Sequence, residues 1–358
     1  MASTTEKEID IAEREQTLPA EPAKRGRPWL WPALGVAFLI AAALVPQFVT
    51  RDDFLNLLFR VCLFVALAQS WNILAGFTGQ TSLGHAAFFG IGAFATRTLW
   101  LGGQQLVLAM VLGGLAAVLF AMIIGVPTFR LRGAYFAIGT LGIAEVLRIF
   151  VGQRFPLLTP LTGPAIVNYN LADRYYWALG VAALATIVAI VLRYSALGLG
   201  LEAVREDEEA ARATGVPVLG HKLFAFGVSS FFAGLAGGVF AYHQVSYYPS
   251  APFGPQYTFD ALLITYIGGL GTIVGPIIGS IFFIVVQEQL ALTLEVGHQI
   301  IFGLLFIIVV LAFPGGLVEA WNRLRGYRRR RAARQGSPAA TTGRKESDNA
   351  NPEVPDVS

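Results

Sequence analysis

Long apolar runs, each cut by a short polar stretch, dominate this chain. A helix needs roughly 18 or more apolar residues to cross a bilayer, because hydrocarbon offers the backbone no hydrogen-bond partners. The pattern predicts crossings at 29–49, 54–75, 83–101, 105–126, 134–152, 174–192, 222–243, 258–270, 273–290 and 298–316. Short segments of alternating polarity, the mark of a membrane β-barrel, are missing. The expected fold is therefore an all-α polytopic membrane protein with about ten transmembrane or partly re-entrant helices. A body at 29–320 lies between two tails, 1–28 and 321–358. The stretch 258–290 is divided by Gly268-Gly269-Leu270-Gly271, and reads either as two tilted spans or as a re-entrant hairpin walled by protein.

One polar island, Arg193 to Lys222, separates two apolar helices. Gly198 and Gly200 are read as interrupting the preceding helix, and 201–214 is rich in helix formers. Gly215 supplies a C-terminal stop and Pro217 prevents resumption. Leu201, Val204 and Ala211 fall near one face, with the acids Glu202, Glu206 and Glu209 mostly off it. A short amphipathic helix between spans suits docking to a soluble partner.

Composition agrees with the membrane reading. Of 358 residues, 55% are hydrophobic and 14% charged, against the quarter usual in soluble domains; mean hydropathy is +0.59. Lys and Arg gather in both tails, at Arg130 and Arg132, and in the 193–222 loop. The excess of positive charge predicts that both termini and this loop are cytoplasmic. The first tail is too acidic for the start of a signal peptide, so the span after it is expected to stay uncleaved. Arg323, Arg325 and Arg328 to Arg331 form a juxtamembrane basic cluster, read as meeting anionic lipid rather than nucleic acid. The sole cysteine, Cys62, excludes an intrachain disulfide and a cysteine metal cluster.

Three motifs carry polar groups into apolar surroundings. Gly76 to Ala93 joins a polar turn to a helix of small residues; Asn72, Gln80, Ser82 and His85 either line a translocation path or tie helices together. His85 has no second ligand at helical spacing, so no metal is expected. Glu145 and Arg148 are three apart and suited to an intramembrane ion pair; a proton relay through Glu145 is the alternative. Gly271, Gly275 and Gly279 form a small-residue repeat around Pro276, read as a helix-packing surface or a break in a helix, with Asp260 upstream at the membrane interface. No G-x-x-x-x-G-K-[ST], H-E-x-x-H or G-x-S-x-G occurs, so neither nucleotide hydrolysis nor another catalytic centre is expected.

Gly79-Gln-Thr-Ser-Leu-Gly-His-Ala-Ala-Phe-Phe-Gly-Ile-Gly-Ala resembles the signature of branched-chain amino acid ABC transporter permeases of the LivM type. Tyr135 to Arg148, Gly198 to Val216 and Gly268 to Gly279 resemble the same family in the same order, over about 29 to 320. The resemblance implies a translocation subunit in a bacterial cytoplasmic (inner) membrane. It implies a homologous second permease subunit, two ATPase subunits holding ATP and magnesium, and a periplasmic binding protein; this chain itself would bind no cofactor. Glu202, Ala203, Arg205, Asp207, Glu208 and Gly215 match the family's ATPase-coupling segment. The family's external Thr-Gly-Gly-x-x-Gly loop is altered here to Leu161-Thr-Gly-Pro164. Related systems carry urea, amides or short peptides. A self-sufficient secondary transporter or channel is the reading of another class, with no evident use for the acidic loop.

Overall fold

A computed structural model describes residues 30–48, 51–156, 159–160, 170–293 and scattered positions between 300 and 323. The first predicted tail, the second beyond Arg323, most of the 298–316 span and the Leu161–Pro164 site lie outside the described residues. The helices are α1 (Leu30–Phe48), α2 (Asp52–Thr78), α3 (His85–Leu101), α4 (Leu106–Thr128), α5 (Ala134–Arg154), α6 (Leu171–Arg193), α7 (Ala196–Glu206), α8 (Glu208–Ala213), α9 (Val218–His243), α10 (Pro255–Gly268) and α11 (Gly275–Thr293). A two-residue pair, β1 (Thr159–Pro160) and β2 (Ser246–Tyr247), is antiparallel.

The protein is an all-α polytopic membrane protein. Six described helices, α2, α4, α5, α6, α9 and α11, are long and apolar enough to cross a bilayer, fewer than the ten crossings expected. The difference is instructive at two places. The predicted spans 83–101 and 258–270 are helices of 17 and 14 residues. At about 1.5 Å per residue they reach about 25 and 21 Å, short of a hydrocarbon core about 30 Å thick. Over 258–290 a short first arm, α10, is followed by a second arm, α11, long enough to span, so the stretch does not form two full spans.

α2 and α9 are the buried centre, and α3 packs against α9 and α4. The α3–α9 contact is close enough to need glycine: a Cβ on Gly237 would stand 1.9 Å from the Phe89 carbonyl oxygen, and one on Gly92 2.1 Å from that of Gly234. Small-residue seams of this kind replace the hydrophobic drive that lipid removes. The outer helices turn Leu119, Ile123, Val146, Ile187 and Val191 outward, as lipid permits.

At the end away from the 193–222 loop, the buried Arg97 donates through Nη1 to the carbonyls of Ala241 and Gln244, both at 3.0 Å. Arg174 donates to the Tyr242 carbonyl at 3.2 Å. Both cations thereby satisfy the unpaired carbonyls at the C-terminus of α9.

Gly237→Ala is expected to lower folded yield and melting temperature in detergent, whereas Gly142→Ala, with open space around its α-carbon, should match the wild type. Equal melting of the two variants would contradict the close α3–α9 approach.

Candidate coupling site and membrane path

The polar island folds as two short helices, not one. Ser195 caps α7, its hydroxyl accepting from the Gly198 N–H at 3.1 Å. Gly198 and Gly200 lie inside α7; the break in the preceding helix falls earlier, at Tyr194-Ser195. Gly198 is required by proximity, since a Cβ there would stand 2.0 Å from the Leu192 carbonyl oxygen. A second break falls at Asp207, extended at φ −157 and ψ 116, whose carboxylate caps α8 by accepting from Glu209 N–H at 2.8 Å and Ala210 N–H at 3.1 Å. A capping carboxylate outcompetes helix continuation here. Gly215, at φ +90, ends α8 as expected, with Val216 N–H on the Ala211 carbonyl and Gly215 N–H on that of Arg212.

Leu201, Val204 and Ala211 are buried, as their shared face predicts. Their burial is against the chain itself: Leu201 joins the main core, while Val204 and Ala211 pack with Val218 and the partly buried Ala203. The apolar face is therefore the anchor, and the outward surface carries Glu202, Glu206, Glu209 and Arg212.

Polar ties complete the anchor. Arg205 Nη1 donates to the Gly76 carbonyl at 2.7 Å, and its guanidinium passes beside Gly271, at φ +76 in the α10–α11 turn. Arg193 reaches Glu202 at 3.6 Å and the Gly271 carbonyl at 3.4 Å. Glu208 is ion-paired with the buried Lys222 and accepts from Gln80 Nε2 at 3.1 Å. The ends of α2, α6 and α9 and the α10–α11 turn thus meet beneath α7 and α8.

The four residues read as path-lining are brought to one segment but bonded differently. Asn72 is fully buried, accepts from Gly271 N–H at 2.8 Å and donates to the Thr272 carbonyl at 2.9 Å. Gln80 belongs to the Glu208 network. Ser82 is buried, its hydroxyl accepting from Gly84 N–H at 3.2 Å and its carbonyl from Trp71 Nε1–H at 2.8 Å. His85 Nε2 lies 2.7 Å from Ser229 Oγ, whose own proton goes to the Ser70 carbonyl at 2.5 Å. His85 must then donate through Nε2, which fixes its tautomer.

These contacts set depth. Ser229 is eleven residues along α9 from Val218, about 16 Å at the helical rise. α3 therefore begins inside the bilayer. Ala86 N–H donates to Thr258 Oγ1 at 2.7 Å, so α10 begins at the same depth and runs toward the loop end while α3 runs away from it. Asp260 accordingly sits at membrane depth, not at the interface where its place in the sequence put it. Glu145 and Arg148 pair as expected, with Nε to Oε2 at 2.8 Å, and both remain about 40% exposed, at 39% and 43%. Gly275 and Gly279 pack against α10, a Cβ on Gly279 meeting the Ile264 carbonyl oxygen at 2.1 Å, whereas Gly271 serves the turn. Sequence reading missed Thr140, Ser229 and Thr258; Thr140 is a lone hydroxyl in an apolar run, Ser229 is paired with Ser230, and Thr258 lies in the polar start of its helix. Among the described residues no group of three metal-ligating side chains occurs.

A family model described as the permease component of branched-chain amino acid transport systems matches residues 54–310. The chain belongs to this permease family. The permease is 27% identical over 316 residues to the high-affinity branched-chain amino acid transport system permease protein LivM of Salmonella typhimurium and to that of Escherichia coli, each covering 79% of this chain and 74% of the relative. It is equally 27% identical over 302 residues to the ribose import permease protein RbsC of Bacillus subtilis, covering 79% of this chain and 91% of that one. No solved structure matches the permease. The matched region runs from the first turn of α2 through α11, and so holds all four of the resembling segments.

Removing one partner of a buried ion pair costs about 3–5 kcal/mol. Lys222→Ala is expected to lose stability toward the low end of that range, since Glu208 is 28% exposed. In a double-mutant cycle with Glu208→Ala, read by thermal unfolding, the two losses should fall well short of additive. Additive losses would mean that the pair contributes nothing.

Proposed function

We propose that this permease is the translocation subunit of an ATP-binding-cassette importer for branched-chain or other hydrophobic amino acids. It works in a bacterial inner membrane with a homologous second permease, two ATPase subunits that hold ATP and magnesium, and a periplasmic binding protein that delivers the substrate. The observation that carries the reading is the anchored pair α7 and α8. Its apolar face is committed to the membrane body, and its polar face is free for a soluble chain. Glu202, Ala203, Arg205, Asp207, Glu208 and Gly215 are the residues assigned to coupling. Arg205 and Glu208 link that surface to the turns that border the broken helices, which is the connection an ATP-driven gate requires.

The path is assigned to the surface where α3 and α10 begin, with His85 and Ser82 at its base and Asn72 and Gln80 holding its walls. Glu145 with Arg148 serves structure and carries no proton. Family membership supports transport, and the names of the LivM relatives support the amino acid. The ribose relative keeps sugar import as the alternative, which a binding assay of amino acids and sugars on the cognate binding protein decides.

Two checks apply. In vesicles, uptake should require ATPase subunits supplied in trans; uptake by the permease alone would indicate a self-sufficient carrier. The double change Glu206→Lys and Arg212→Glu, at exposed positions, should leave folded yield unchanged, since such surface changes cost within about 0.5 kcal/mol. It should abolish ATPase co-purification and ATP-driven uptake. Full retention of both would remove α7 and α8 from coupling.

A further inference from the structure

One intramembrane carboxylate has a different character from the rest. Asp260 stands on α10 two residues past Thr258, with about 12 Å of helix still to run to Gly268. Among the described residues it makes no hydrogen bond and no ion pair. Arg60, whose positive field reaches it, is itself bound to Glu288 and donates to Gln287 Oε1 at 3.0 Å.

Carboxylates at this depth face a bundle interior or a water-filled cavity, because lipid offers them nothing. Asp260 is partly exposed at the protomer surface, one turn from the exposed Gln256 and beside the exposed Phe259. α10 packs chiefly against α11 and α2 and only touches α5, which bears the Glu145–Arg148 pair on its own outer side. That pair is neutral as a unit, as is Arg60 with Glu288. Asp260 alone has no such partner, and it stands where the two short helices α3 and α10 begin.

We propose that Asp260 receives the ammonium group of the substrate in the translocation path, a role that rests on the amino acid importer reading above. A charge-assisted contact of this kind discriminates by chemistry. An amino acid brings a cation, whereas a sugar, urea or a neutral amide brings none. One carboxylate without a matching cationic cradle also holds its ligand loosely, as a path must.

The test uses the whole transporter in liposomes, with this chain, its sister permease, the ATPase subunits and the binding protein. Uptake of labelled leucine is compared for the wild type, Asp260→Asn and Asp260→Glu. Asp260→Asn should lose about tenfold or more while co-purifying with the sister permease at wild-type yield and keeping ATPase stimulation by loaded binding protein. Asp260→Glu should recover most of the rate. An Asp260→Asn transporter that carries leucine as well as the wild type overturns the proposal. So does one that simply falls away from the sister chain, since Asp260 then serves that interface. If Asp260→Asn does not fold, Asp260→Ser is read by the same criteria. A wild-type assembly that imports a labelled sugar or amide but no leucine defeats the amino acid reading itself, and the Asp260 proposal falls with it.

Discussion

Every backbone N–H and C=O that reaches membrane depth outside a regular helix must find a partner within the protein. Two helices of this permease start inside the bilayer, so their approaches and first turns expose polar backbone where lipid cannot satisfy it. Trp71 takes the Ser82 carbonyl, Thr140 accepts from Leu83 N–H at 3.1 Å, and Thr258 takes Ala86 N–H. Asn72 holds Gly271 and Thr272, and Gln69 donates to the Ile273 carbonyl at 2.8 Å. Polar residues scattered along apolar helices are thereby explained one by one, most of them by a nearby stretch of open chain.

This constraint shapes packing as well. A polar side chain reaches a neighbour's backbone only if the helices run close, and closeness comes from glycine and alanine along α3 and α9. Bulk is moved outward, to the lipid-facing leucines and isoleucines of α4, α5 and α6. The same division separates the rigid centre from the surfaces left for other chains. Charged groups follow it too: Arg97 and Arg174 neutralise the end of α9, while Glu145 and Arg148 neutralise each other.

Much of this was legible in the sequence. Apolar runs marked the full-length spans, and Gly215 with Pro217 marked the end of α8. The amphipathic face of the loop was read correctly, but its target was not, because periodicity says which residues are buried and nothing about what buries them. The break at Asp207 was missed because Glu206, Glu208 and Glu209 favour helix on both sides of it, and only the capping bonds disclose the stop. Helices α3 and α10 were read as spans since their apolar content matches one; their depth depends on pairings such as Thr258 with Ala86, separated by 172 residues. The pairing of Glu145 with Arg148 was readable, being local.

The joint at Asp207 has a mechanical consequence. Arg205 stands on one side of it and Glu208 on the other, and each is tied to a different helix end. Glu208 also holds Gln80 just past α2, and α7 lies against α9, so both short helices bear on the same two columns. The extended residue between them lets each helix seat at its own angle. A single stiff rod would have to meet both columns along one line.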